Sequence, residues 1–270
     1  MPELPEVETT VRGLAKVLDG QRLVRVRVNR PDLRRPFPAD LVQAMTGARV
    51  TGLGRRAKYG LIHTDRDQTM IFHLGMSGRW RIDPVDNDKH DHLLLETESG
   101  HVLALNDPRR FGSVDLAPTA GLESWSGFAA LGPEPLGDEF TAGHLERAFA
   151  GRISAVKVLL LDQRIVAGLG NIYVCEALNR SGIRPDKPAG KLSPPALKRL
   201  VAEVKAVLAE AIEAGGSTIR DYVQPDGELG YFAHQWRVYG REGKPCRCGG
   251  TVERMVQGGR STFWCRKCQK

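Results

Sequence analysis

A Pro- and Gly-rich break, Leu131-Gly132-Pro133-Glu134-Pro135-Leu136-Gly137, divides this chain into two halves patterned on different periods. Ahead of it, short apolar runs alternate with turn residues. Leu23-Val24-Arg25-Val26-Arg27-Val28 has the period of two expected of a half-buried strand. Further strands are expected around 60–63, 70–74, 93–96 and 102–105. One helix precedes them, with Val7, Val11, Leu14 and Leu18 on one face and a stop at Gly20. Many short strands behind one leading helix predict a β-sandwich that carries the helix. Beyond the break the period becomes helical. A helix is expected over 144–150, a second capped by Ser154 and carrying Val156, Leu159 and Leu160, and a third running through Leu178. A long helix follows from Ser193-Pro194 to Gly215, with Leu197, Leu200, Val201, Val204, Leu208 and Ile212 as its buried stripe. The fold class is therefore α+β in two domains, and 270 residues suffice for two cores. The expected limits are a β-sandwich domain at 1–130, a linker at 131–140, a helical domain at 141–232 and a metal-binding tail at 236–270.

The tail carries Cys246, Cys248, Cys265 and Cys268. Four thiolates in two close pairs suit tetrahedral Zn²⁺, and such a set leaves no open coordination position, so one structural zinc is expected. The second pair has ordinary Cys-x-x-Cys spacing. The first is one residue tighter, with Gly249-Gly250 directly after it to relieve strain. Between the pairs, Val256-Gln257-Gly258-Gly259-Arg260-Ser261-Thr262-Phe263 reads as a β-hairpin with a glycine turn. Cys175 stands apart in a helical stretch and reads as a small buried side chain. Residues 240–270 hold eight Lys/Arg against two Asp/Glu, six of the chain's seven net positive charges. A basic chain of this kind calls for a polyanionic partner. No apolar run approaches the roughly 18 residues of a spanning helix, and the acidic N-terminus is unlike a signal peptide. A cytoplasmic monomer without a membrane partner is the expectation. Neither a Gly-x-Ser-x-Gly elbow nor a phosphate loop is present, which argues against a serine hydrolase and against a nucleotide cofactor.

The first residues, Met1-Pro2-Glu3-Leu4-Pro5-Glu6-Val7-Glu8, offer distinctive chemistry. Removal of Met1, favoured by the small Pro2, leaves a secondary amine that titrates near pH ~8. Such an amine attacks the carbonyl form of a sugar to give a Schiff base. Glu3 and Glu6 stand beside it as candidate acid and base. The same residues also make an ordinary helix start. Lys58, in Arg55-Arg56-Ala57-Lys58-Tyr59, fits either a solvated turn or a phosphate clamp. Met76 is set among glycines in His73-Leu74-Gly75-Met76-Ser77-Gly78-Arg79, and Phe111 ends the run Asn106-Asp107-Pro108-Arg109-Arg110-Phe111. An enzyme that works on a base must take it out of the stack, and apolar or planar side chains fill the gap. His90-Asp91-His92 shares a strand face between its histidines but lacks further ligands nearby, so it reads as structural. Gly168-Leu169-Gly170-Asn171 lies at a helix–turn–helix junction able to hold phosphate. A long polar loop spans 215–230.

Taken in order, these motifs resemble the bacterial formamidopyrimidine-DNA glycosylases over essentially the whole chain. The resemblance implies a bifunctional DNA glycosylase/AP lyase of base excision repair, acting on damaged double-stranded DNA to remove 8-oxoguanine and formamidopyrimidines. It implies a helix-two-turn-helix and a zinc finger in the second domain. Its catalytic set maps onto Pro2, Glu3, Glu6, Lys58 and Arg260. Pro2 would attack C1′, Glu3 protonate the ring oxygen or leaving group, and Glu6 order the nucleophile or its water. Lys58 and Arg260 would contact phosphates. Met76, Arg109 and Phe111 would enter the duplex, as on the purine-lesion branch and unlike the endonuclease VIII branch. Lys157 and Asn171 would grip phosphates around the lesion, with further DNA contacts from His92, Arg110 and Tyr239. Arg220 falls in the loop that closes over the everted base, where some relatives carry Lys. Two rival readings are a pyrimidine-lesion enzyme of the same superfamily and a zinc-finger DNA-binding protein without catalysis.

Overall fold

The computed structural model describes residues 2–217, 225 and 230–270. The chain forms two compact units, 1–129 with 214–233, and 130–213 with 234–270.

In the first unit, α1 (Leu4–Leu18) is followed by β1 (Leu23–Val28), the short α2 (Leu41–Met45), β2 (Val50–Arg56), β3 (Tyr59–Thr64) and β4 (Gln68–His73). Then come β5 (Arg79–Ile82), β6 (Asp91–Thr97), β7 (Val102–Asn106) and β8 (Ser113–Pro118). The strands pair as two antiparallel four-stranded sheets, β1-β6-β7-β5 and β2-β3-β4-β8. Leu93, Leu95, Leu103 and Leu105 of one sheet join Ile62, Met70 and Phe72 of the other in a single buried cluster with Val7, Val11, Leu14 and Leu18 of α1. This is the expected sandwich bearing a helix, and the apolar stripe of α1 is what seats it. Phe72 meets Trp80 edge to face at 5.6 Å between ring centroids. Gly60 leaves the space for it, since a Cβ there would lie 2.1 Å from the Phe72 ring. The strands anticipated from sequence are present: β1 has the expected limits, β3, β6 and β7 run one to three residues longer, and β4 starts two residues earlier and ends one earlier. β2, β5 and β8 were not anticipated. Gly52, Gly54 and a register shift between Val50 and Gly52 break the alternation of β2, and β5 is only four residues long.

In the second unit, α3 (Ala142–Phe149) starts at Thr141, whose hydroxyl accepts the His144 N–H at 3.1 Å. α4 (Val156–Leu160), α5 (Asn171–Arg180) and α6 (Pro194–Glu213) follow. Ser154 does not cap α4. That position is Ala155, and the Ser154 carbonyl instead accepts the Ala189 N–H at 2.9 Å. On α6, Leu197, Leu200, Val204, Leu208 and Ile212 are buried as expected, and Val201 is half-buried. The tail forms the β9 (Val252–Gln257) and β10 (Arg260–Cys265) hairpin. Gly258 and Gly259, both at positive φ (55° and 72°), make its two-residue turn. Among the described residues, no helix is long and apolar enough to cross a membrane.

Candidate active site and nucleic-acid interface

Pro2 is buried immediately ahead of α1, whose N-cap is Glu3. Glu3 and Glu6 form a capping box, and Glu6 Oε2 accepts the Glu3 N–H at 2.9 Å. The other oxygen of Glu6 accepts the Ser217 N–H at 2.8 Å, across 211 positions of sequence. Both carboxylates are nearly sealed from solvent, at 3% and 2% exposure. Burial of that order requires hydrogen-bonded partners, and Glu6 obtains them from backbone amides on two segments. It thereby fixes the peptide that follows Pro2. A second bridge reaches the turn of Lys58. Arg55 donates from Nε to Glu8 Oε2 at 3.0 Å and from its guanidinium to the Ala57 carbonyl at 2.8 Å. Ala57 holds φ at 52°, a strained value for alanine, so the carbonyl clamp stabilises a turn the chain would otherwise disfavour. The Lys58 side chain is itself largely buried.

The turn of Met76 and the loop of Arg109, Arg110 and Phe111 lie side by side. A Cβ on Gly75 would come within 2.3 Å of the Phe111 carbonyl carbon, so only glycine permits this approach. Met76 (37%) and Phe111 (44%) are among the exposed large apolar side chains of the described chain. The Arg109 guanidinium stands 4.8 Å from the Phe111 ring centroid, a cation–π contact. Arg110 takes φ 55° and pairs loosely with Asp32 at 3.6 Å. His92 is buried, with Nε2 at 3.0 Å from the Asp107 carbonyl. Asp91 accepts from Arg81 and Asn106, and the metal-capable cluster among the described residues is the four cysteines, without His90 or His92. Ser77 and Asp107 are hydrogen-bonded organisers of these loops that the periodicity of the sequence did not single out.

His73 is a further one. Its Nδ1 accepts the Gly75 N–H at 3.0 Å, and its ring packs 5.0 Å from that of Tyr59. Burial, with the Lys58 charge next, pushes its pKa down to about 4. The folded protein thus holds the neutral imidazole. Its contribution to stability is complete above pH ~6.5 and is lost as pH falls from there toward 4. Thermal unfolding followed between pH 7 and 4 is expected to show this loss, up to about 3 kcal/mol. A His73→Gln variant flattens it. An unchanged pH profile in that variant would assign the acid lability elsewhere.

The second unit gathers the remaining candidates. Gln163 bridges the α4–α5 connection, donating to the Leu161 and Leu169 carbonyls and accepting the Gly168 N–H at 2.8 Å. Lys157 and Asn171 converge on the β9–β10 hairpin. The Lys157 ammonium donates to Thr262 Oγ1 at 2.7 Å, and the Asn171 amide donates to the Ser261 carbonyl at 2.8 Å. Lys157 is fully buried, so here it supports the strand that begins with Arg260. Tyr239 stands between Trp236 and Phe263, each 5.1 Å away. Its segment is fixed by the buried Glu176, whose carboxylate accepts the N–H groups of Arg237, Val238 and Tyr239 at 2.9–3.0 Å. Arg220 lies outside the described residues.

The four tail cysteines meet. Their sulfur atoms all lie within 4.8 Å of one another, with Cys246–Cys268 at 3.9 Å and Cys248–Cys265 at 3.5 Å. Tetrahedral Zn²⁺ with bonds near 2.3 Å requires sulfur separations of about 3.8 Å. The residues fit the ion. The tight Cys-x-Cys pair reaches because Gly249 takes φ 77° and the Cys246 N–H donates to the Gly250 carbonyl at 2.8 Å. Burial raises the thiols of Cys246 and Cys268, while the Gly250 N–H draws Cys248 down to about 7. Four such thiols ionise together only with a cation among them. One zinc, structural, belongs here.

Comparison with known proteins agrees over the full length. Residues 1–114 match the family described as formamidopyrimidine-DNA glycosylase N-terminal domain, residues 131–223 its H2TH domain, and residues 243–270 the zinc finger found in FPG and IleRS. The chain is 73% identical to the formamidopyrimidine-DNA glycosylase of Novosphingobium aromaticivorans and 66% identical to that of Rhizorhabdus wittichii, in both cases over 100% of each chain. Among solved structures it resembles a Lactococcus lactis FPG mutant in complex with DNA containing Fapy-dG. That match has a TM-score of 0.92 at 34% identity and covers 100% of both chains. It is also similar to the MutM (FPG) protein of Thermus thermophilus, with a TM-score of 0.89 at 39% identity over 99% of this chain and 98% of that one.

Proposed function

The chain belongs to the formamidopyrimidine-DNA glycosylase family, and from that premise we propose that it excises oxidised purines from double-stranded DNA through a Schiff base on Pro2. It is a base excision repair glycosylase with AP lyase activity. The observation that carries this reading is the amino-terminal arrangement: a buried Pro2 followed by two sealed carboxylates, one tied to a segment 211 positions away.

In mechanism, the free amine of processed Pro2 attacks C1′ of the damaged nucleotide. The bond from C1′ to the base breaks, and Glu3 supplies the proton to the ring oxygen or the departing base. Glu6 acts as a positioning residue through the Glu3 and Ser217 amides. Loss of the C1′ ring oxygen gives the protonated Schiff base, which acidifies the C2′ proton. Its removal expels the 3′-phosphate, and a second elimination expels the 5′-phosphate, leaving a one-nucleotide gap. Hydrolysis then returns the amine. Amine and carboxylates supply every step, so no nucleotide cofactor is required. We read the enzyme as a monomer.

Lys58 and Arg260 place positive charge for phosphates, which are the part of DNA that fixes register without reading sequence. Met76, Arg109 and Phe111 fill the gap left by the everted base. Zinc holds the hairpin of Arg260 in shape and takes no part in bond breaking. A substrate of this kind places the enzyme on the nucleoid in the bacterial cytoplasm.

One related Lactococcus lactis structure carries DNA with an oxidised pyrimidine, so the lesion class merits a direct contest. Under single-turnover conditions, duplexes with 8-oxoguanine opposite cytosine are expected to be cut faster than duplexes with thymine glycol, by on the order of tenfold or more. Preference for thymine glycol would transfer the enzyme to the pyrimidine branch. Binding without cleavage of either would leave a non-catalytic zinc-finger protein.

A further inference from the structure

We propose that Asp107 is the positioning residue that couples the Met76 turn to the loop of Arg109 and Phe111, so that the wedge enters DNA as one body. The inference rests on the glycosylase reading above and adds a residue to it.

Asp107 is fully buried, and its two carboxylate oxygens serve different loops. Oδ1 accepts the Ser77 hydroxyl at 2.7 Å, next to Met76. Oδ2 accepts the Gly112 N–H at 2.8 Å, next to Phe111. Ser77 Oγ accepts in turn the Arg109 N–H at 3.2 Å, so all three wedge residues adjoin one hydrogen-bonded chain. The backbone of Asp107 is anchored independently: its N–H donates to the His90 carbonyl at 3.0 Å, and its own carbonyl meets His92 Nε2. The same carbonyl also accepts the Arg110 N–H at 3.2 Å, so the clasp ties the end of β7 and the β6 strand to the loop that carries Arg109 and Phe111.

The chemistry explains why a carboxylate stands here. A buried acid is costly unless hydrogen-bonded, yet it offers acceptors at both ends. Asparagine offers an acceptor at only one end. If its amide nitrogen faced Gly112, two donors would collide. If it faced Ser77, the hydroxyl would have to reverse its direction while still accepting from Arg109. Either way the coupling between the loops changes while the side chain's volume does not.

The test compares two assays on Asp107→Asn and Ser77→Ala. One follows excision of 8-oxoguanine from an intact duplex, with 2-aminopurine beside the lesion to report unstacking. The other follows borohydride trapping on a preformed abasic duplex, which has no base to evert. Excision and the 2-aminopurine signal are expected to slow together by on the order of tenfold to a hundredfold, the scale of a small misplacement. Trapping on the abasic duplex stays within about twofold of wild type. Ser77→Thr, which restores the hydroxyl, recovers the rate. Should Asp107→Asn fail to fold, Ser77→Ala, which keeps Asp107 and its Gly112 bond and removes one hydroxyl, gives the same reading. Equal losses in both assays by folded variants, no loss in either, or failure of Ser77→Thr to differ from Ser77→Ala would overturn the coupling role. If the wild-type protein itself gave no trapped adduct, the Pro2 reading would fail and take this one with it.

Discussion

A protein that keeps Met1, or carries any residue ahead of Pro2, is expected to bind a duplex containing 8-oxoguanine and yield no borohydride-trapped adduct. The nitrogen of Pro2 is a secondary amine only at the chain end. Within a peptide bond its lone pair is delocalised into the carbonyl and there is no N–H to lose. Strand cleavage should fall by at least about 10³-fold, because a nucleophile and its proton transfers are removed together. Pro2→Gly, with Met1 removed, puts a primary amine in place of the secondary one, so partial trapping is expected, clearly below wild type. Mass mapping of the linked peptide decides the assignment. An adduct on Lys58, or full activity with the amine blocked, would remove Pro2 from the mechanism.

Removal of zinc is the second large effect. The hairpin's core is small: Val238, Val252 and Cys175 around the cysteines themselves, with Tyr239 and Phe263 partly buried against it. Binding of structural zinc to comparable modules is worth roughly 10–16 kcal/mol, far more than so few apolar side chains can supply. Cys248→Ala, or metal stripping confirmed by elemental analysis, is expected to unfold β9 and β10. Arg260 and the Ser261 carbonyl that receives Asn171 would then be lost. Affinity for duplex DNA should drop at least about a hundredfold, with a shallower salt dependence as phosphate contacts vanish. Full affinity in the metal-free protein would mean that the cysteines hold the hairpin unaided.

Much of the fold was legible because it is written in short-range periods. The stripe of α1, the alternation of β1 and the cysteine spacing each need only a few neighbouring residues to interpret. β2 was not legible, because glycines at positions 52 and 54 and a register shift erase its alternation. The amino-terminal residues were recognisable as chemistry, but their geometry was not. Nothing in the local sequence announces that Glu6 accepts the Ser217 amide. Lys157 illustrates the same limit. The resemblance set it against phosphates, but nothing in the local sequence announces that its ammonium meets Thr262, 105 positions away. His92 and Asp107 likewise find each other only through the pairing of β6 with β7. Such partners are set by topology, and one sequence carries no period that encodes them.

The division of the chain bears on the order in which the protein is made. The unit that begins at the amino terminus is completed only by residues 214–233, after the intervening helices have been synthesised. Contacts of such sequence separation form late, since the loop they close must be drawn together first. A nascent chain can assemble the two sheets and α1 while the ribosome is still adding α3 to α6. Its Glu6 must wait for Ser217. The amino terminus is the first part to emerge and one of the last to be finished, so a truncated product would carry the sandwich without the Ser217 amide that Glu6 accepts.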